Sequence, residues 1–157
     1  RDLLESGPLG HGGVARSRRL GPVTLDRLGG WLIGAANVTV RPVLDPSALG
    51  AIDAHDPTPR MVEAVQLRDK TCVFPRCGVP AERCDLDHIE PYLAPDDGGP
   101  SGQTHVAALA CLCRKHHRAK TFGGFDYRRR ADGSYEWTLP TGQTVVTDPP
   151  APCPHPD

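Results

Sequence analysis

The chain has 157 residues, 38% of them apolar and only 5% aromatic, with 17 glycines and 17 prolines. That composition excludes a single large hydrophobic core and favours a small core held by a staple. Formal net charge is −1, so the overall balance points neither to nucleic acid nor to a membrane, and no run of about 18 apolar residues is present.

The local balance of charge is more informative. Between Arg114 and Arg130 lie seven Lys/Arg and one acid, Asp126. Between Asp85 and Asp97 lie five acids and no Lys/Arg. A basic face able to meet phosphates thus adjoins an acidic one able to hold cations. No signal-peptide pattern is seen. The chain opens on Arg1 rather than Met, as a fragment would. Cysteines beside histidines, without secretory signals, point to metal rather than disulfides and to a cytoplasmic setting.

In chain order, residues 1–21 are Gly- and Arg-rich and read as a flexible tail or the end of a missing upstream domain. Residues 22–59 read as a linker region. It holds a short helix over 22–34 with Thr24 as N-cap and Leu25, Leu28, Trp31 and Leu32 on one face. A strand-like stretch over 37–44 follows, demoted to an edge by Pro42, and then a loop over 45–59. The main domain spans 60–147. A helix over 60–68 packs through Met61, Val62, Val65 and Leu67. Beyond residue 122, Phe125–Arg128 and Tyr135–Leu139 form a hairpin turned at Asp132-Gly133. Thr141-Gly142 turns the chain again into a strand over Thr144–Thr147. Residues 148–157 are proline-rich and read as disordered.

Two short-spaced ligand pairs stand inside this domain. Cys72 and Cys77 are a C-x4-C pair, and Cys113 and His116 a C-x2-H pair. Pairs on tight turns, separated by a long loop, converge on one ion, and thiolates suit Zn²⁺. The expected structural zinc site is Cys72, Cys77, Cys113 and His116. Cys84, Cys111 and Cys153 compete as ligands; Cys84 and Cys111 read as thiols facing the core. Next to this staple, Cys84, Leu86 and His88 alternate with Asp85 and Asp87, as on a strand ending before Pro91. On the following helix, His117 projects about 100° from His116. The two histidines therefore serve different sites.

The strings PTPRMVEAVQLRDK, TCVFPRC, CDLDHIEPY, GGP and LACLCRKHHRAKTF together resemble the HNH endonuclease family, with its ββα-metal (His-Me finger) fold. The likeness is closest to actinobacterial HNH proteins that carry an N-terminal domain of unknown function. The fold expected is a small α+β unit: a zinc-stapled ββα core, a preceding helix and a C-terminal β-hairpin. The resemblance implies a metal-dependent endonuclease that hydrolyses phosphodiester bonds in DNA. It makes His88 the general base that activates water. It makes Asp87 and His117 ligands of a catalytic Mg²⁺ or Mn²⁺. Arg114, Arg118 and Lys120 then hold phosphates without reading sequence. One position departs from the pattern: Ala108 stands where the family has a central Asn, with Gln103 and His105 as the nearby polar residues. That departure raises an alternative, a non-catalytic zinc-stapled module that binds nucleic acid.

Overall fold

The computed structural model describes residues 14–17, 21–39 and 49–147. The expected tail over 148–157, Cys153, and the 40–44 part of the expected strand lie outside the described residues. The chain divides into two compact units, Val43–Pro152 and Arg1–Pro42 together with Cys153–Asp157.

In the smaller unit, β1 (Val14–Ser17) pairs antiparallel with β2 (Gly21–Thr24). Of the stretch 1–21, expected as a flexible tail or the end of an upstream domain, the described residues 14–17 and 21 belong to this hairpin. The helix expected over 22–34 is α1 (Leu25–Ile33), and residues 22–24 belong to β2. Thr24 caps it, its side chain accepting from the Arg27 N–H at 3.4 Å. Leu25, Leu28 and Leu32 are half-buried, but Trp31 is 43% exposed. Residues 37–39 form no strand.

The larger unit is a small α+β fold built on antiparallel sheets. Helix α2 (Pro59–Asp69) starts at Thr58, whose side chain accepts from the Met61 N–H at 3.3 Å, with Pro59 in the first turn. Met61 and Val65, four residues apart, are its buried apolar contacts, whereas Leu67 turns outward. The expectation for Leu67 is corrected: the last turn is instead anchored by a polar clamp. Asp69 accepts from the Cys111 N–H at 2.9 Å and from the Tyr135 hydroxyl at 3.0 Å. Arg68 pairs with Asp69 and donates to the Val106 and Leu109 carbonyls, each at 2.6 Å.

Strand β3 (Asp85–His88) pairs antiparallel with β4 (Leu109–Leu112), placing Asp87 opposite Ala110 and His88 opposite Leu109. All four residues of β4 are 0% exposed, which is why it reads as an unbroken apolar run. Alternation divides them between two cores. Ala110 and Leu112 join Val73, Tyr127, Tyr135 and Trp137; Leu109 and Cys111 join Met61, Val65, Ala81 and Val106. Helix α3 (Arg114–Gly123) follows at once, capped at its end by Gly124 at φ +69°. A three-stranded meander closes the unit: β5 (Asp126–Arg129), β6 (Tyr135–Thr138) and β7 (Thr144–Thr147). The turn expected at Asp132-Gly133 joins β5 to β6, with the Asp132 carboxylate accepting from the Ser134 N–H at 3.0 Å. The Trp137 indole donates to the Val73 carbonyl at 3.0 Å, tying the meander to the Cys72–Cys77 turn.

Candidate functional site

The long connection between β3 and β4, residues 89–108, is shaped by close backbone approach. A Cβ on Gly99 would sit 2.0 Å from the Leu93 carbonyl oxygen, so only glycine fits there. The Gln103 amide clasps Leu93 at both ends, accepting from its N–H at 3.0 Å and donating to its carbonyl at 2.7 Å. Ala108 contributes only backbone, its carbonyl accepting from the Ile89 N–H at 2.8 Å.

Cys72, Cys77, Cys113 and His116 converge as their spacing indicates. One ligand atom from each lies within 4.8 Å of all the others. The His116 Nδ1 is 3.5 Å from Cys72 Sγ and 3.3 Å from Cys113 Sγ. Zn–S and Zn–N bonds of about 2.3 and 2.0 Å in a tetrahedron put S and N about 3.5 Å apart. The spacing and the donor set therefore fit one zinc ion. The turn that presents Cys72 and Cys77 closes on the Cys77 N–H to Phe74 carbonyl bond at 3.0 Å, and Arg76 takes φ +59° within it. Phe74 stacks on the His116 ring at 3.8 Å. Burial pushes the Cys72 thiol up and His116 down. At Cys113 burial is outweighed by backbone N–H donors of His116 and Lys115 and by the neighbouring thiols, so its pKa falls. Zinc ligation needs a neutral imidazole and thiolates, and the ion itself, on binding, displaces the thiol protons. Cys84 and Cys111 stand outside the quartet; Cys84 donates to the Pro80 carbonyl at 3.4 Å and Cys111 is fully buried.

The second group lies along β3. Alternation sends Asp85 and Asp87 towards α3 and His88 towards the loops. His117 lies between the two carboxylates, with Nδ1 3.0 Å from Asp85 Oδ2 and Nε2 3.3 Å from Asp87 Oδ1. With Nδ1–H given to Asp85, a neutral ring turns its Nε2 lone pair towards Asp87. Two acceptors so placed repel unless a proton or a cation sits between them. The other oxygen of Asp87 takes the Tyr127 hydroxyl and the Lys120 ammonium, each at 2.7 Å. Burial and then the Asp87 carboxylate hold Tyr127 well above an ordinary phenol, so it remains a donor.

Lys120 is held by groups of the chain itself. Its side chain is 10% exposed, and it also donates to the His88 carbonyl and, at 3.0 Å, to that of Ile89. Its three N–H bonds are thus made within the chain, to Asp87 and the His88 and Ile89 carbonyls. Arg114 and Arg118 are exposed. Arg114 reaches Asp85 at 3.0 Å, and the Arg118 guanidinium lies over Phe122.

His88 is buried, with Nε2 2.8 Å from Thr104 Oγ1. Thr104 in turn donates to the His55 carbonyl at 3.4 Å. A hydroxyl with its proton committed accepts from His88, so Nε2 carries the hydrogen and Nδ1 is left as the basic nitrogen. Burial, then His55, lowers the His88 pKa, against an upward pull from Asp87. An open cavity of about 370 Å³ adjoins these groups, lined by His55, Asp87, His88, Tyr92, His117 and Lys120 among others.

Sequence reasoning passed over Asp85, Thr104, Tyr127 and His55. Asp85 was within reach, since it shares a strand face with Asp87. The others come in from distant segments.

No protein-family model and no solved structure matches the chain. Curated relatives come from Mycobacterium tuberculosis. The uncharacterized protein Rv2100 (strain ATCC 25618 / H37Rv) is 39% identical over 137 residues, 82% of this chain and 24% of the relative. The uncharacterized protein Rv3776 of the same strain is 43% identical over 105 residues, 66% of this chain and 19% of the relative. The chain spans about a quarter or less of the length of these relatives. Among the described residues, no helix is long and apolar enough to cross a membrane.

Proposed function

We propose that this chain is an HNH-type, metal-dependent DNA endonuclease whose β3–β4–α3 unit is a zinc-stapled ββα-metal core. One observation carries the reading: a strand and a helix bring His88, Asp87 and His117 to the lining of one open cavity, with Asp87 Oδ1 and His117 Nε2 3.3 Å apart and His88 Nε2 held by Thr104. Two ligands of one Mg²⁺, each at about 2.1 Å and at right angles, stand about 3.0 Å apart. A hard oxygen and an imidazole nitrogen fit Mg²⁺ or Mn²⁺, and Asp85 orients His117 as a carboxylate orients a metal-ligating histidine. Such an ion, when bound, stabilises charge on the scissile phosphate and leaving oxygen.

The protein's own groups do the rest. His88 takes a proton from water at Nδ1, while its Nε2–H stays on Thr104. Lys120 and Tyr127 hold the far oxygen of Asp87, fixing the direction of the near one. Arg114 and Arg118, exposed on α3, contact the phosphate backbone without base readout, so weak sequence preference is expected. The zinc quartet joins the 72–77 turn to the start of α3.

Ala108 favours a second reading, a zinc-stapled nucleic-acid-binding module without catalysis. Against it stands the Gln103 clasp on Leu93, which braces this loop without an Asn at 108. Nicking of supercoiled plasmid decides, using zinc-loaded protein with Mg²⁺ or Mn²⁺, a metal-free control and His88→Ala. Metal-dependent nicking lost in His88→Ala supports the enzyme. DNA binding without nicking by folded, zinc-loaded protein selects the second reading.

A further inference from the structure

The loop before α2 is tied into the cleft more firmly than its lack of regular structure would require. Ile52 and Thr104 exchange backbone hydrogen bonds at 2.9 and 3.2 Å. Asp53 accepts from the Tyr92 hydroxyl at 2.5 Å through its carbonyl, and from the Gly102 N–H at 2.7 Å through its carboxylate. The His55 carbonyl ends the hydrogen-bond chain that orients His88. With the backbone so fixed, the His55 side chain is still 66% exposed. Its ring lies 5.1 Å from that of His88 and 5.0 Å from that of Tyr92, at the wall of the same cleft. Asp56 Oδ1 lies 2.9 Å from its Nδ1. A carboxylate only accepts, so Nδ1 donates and Nε2 is the nitrogen left for a ligand.

We propose that His55 is a further catalytic residue of this cleft, holding a non-bridging oxygen of the bound phosphodiester through Nε2. The role deepens the nuclease reading and rests on it for the identity of the ligand. Asp56 on one side and a non-bridging phosphate oxygen on the other are both acceptors, so in the complex each ring nitrogen faces an acceptor. His88 then works on the water and His55 on the phosphate, from adjacent positions on one wall.

The test separates this role from aromatic packing and from the nuclease reading. His55→Phe keeps a ring against His88 and Tyr92 but cannot donate; His55→Lys keeps a cation. Binding of a fluorescein-labelled duplex is followed by anisotropy in the His88→Ala background, where substrate persists. Nicking is followed in the otherwise unaltered chain. His55→Phe should weaken binding and lower kcat/KM by about 10- to 100-fold, the worth of a hydrogen bond to a charged group. It should also reduce the salt slope of binding by about one. His55→Lys should restore the slope and part of the binding. Unchanged binding and nicking in zinc-loaded His55→Phe overturns the role of His55 and leaves the nuclease reading intact. Slope loss in His55→Phe, with no nicking by the parent chain, supports the phosphate contact and sinks the nuclease. A parent chain that does not bind the duplex overturns both.

Discussion

Thr104 Oγ1 lies 2.8 Å from His88 Nε2, and the bond decides which face of the imidazole is basic. Thr104 is 0% exposed, so water cannot replace it. Thr104→Val keeps the shape and removes the acceptor. The orphaned Nε2–H costs about 1–3 kcal/mol of stability. Freed of its partner, the ring loses its preference for the tautomer with a basic Nδ1. The expected result is folded protein with a lowered Tm and kcat reduced about 10- to 100-fold, since general-base catalysis contributes about 10²–10⁴. Thr104→Ser, which keeps the hydroxyl, should retain most activity. Equal activity in the Val and Ser variants would contradict this account of His88.

The metal quartet predicts a stoichiometry and a pattern of loss. Protein purified without added metal should hold one zinc per chain by elemental analysis. Cys72→Ser, Cys77→Ser, Cys113→Ser or His116→Ala should each lose that zinc and unfold at much lower temperature, because ligation of a small core is folding free energy. Cys84→Ser and Cys111→Ala lie outside the quartet. They should keep the zinc, with Cys111→Ala losing some stability to the cavity it leaves in the core. Chelator-treated protein should lose protection from protease first around residues 71–77 and α3.

Lys120 and Arg118 sit two residues apart on α3 and should behave in opposite ways. Lys120 is buried against Asp87, and removing one partner of a buried pair costs about 3–5 kcal/mol. Lys120→Met should therefore lower Tm sharply and abolish nicking through loss of Asp87 placement. Arg118 is exposed. Arg118→Ala should leave Tm within a degree or two, weaken DNA binding, and reduce its salt slope by about one. Denaturation scans beside binding titrations at several salt concentrations distinguish the two.

This contrast marks where sequence stops being informative. Lys120 and Arg118 look alike in a run of basic residues, and nothing local tells which is buried. The convergence of Cys72, Cys77, Cys113 and His116 was legible because each pair is short and a tetrahedral ion requires two such pairs. The different directions of His116 and His117 follow from helical rotation alone, and the placement of Asp85 and Asp87 opposite His88 from strand alternation. Thr104 and His55 were not legible. Their positions depend on loop closure between segments some fifty residues apart, set by the bridge between Ile52 and Thr104. Leu67 and Trp31 misled for a related reason. A helix face predicts burial only where another element covers it.

The pH dependence of nicking follows from the environment of His88. Burial, followed by His55, lowers its pKa from the ordinary value of 6.5, so the ring is neutral and basic at pH 7. The acid limb of kcat/KM should therefore fall below that of an unperturbed histidine, with activity full near neutrality and lost only under mildly acid conditions. His55 acts on His88 in the lowering direction. His55→Phe should accordingly move the acid limb upward, besides lowering the plateau. Stability runs with the same sign. A group whose folded pKa lies below its unfolded value stabilises the fold above the unfolded pKa, and that contribution is lost as pH falls. His88 belongs to this class, and protons also compete with the metal for the ligands of the quartet, so Tm should decline below about pH 6.5. Zinc content measured at each pH separates the two contributions: loss of activity with zinc retained assigns the limb to His88, while loss of both together assigns it to the metal centre.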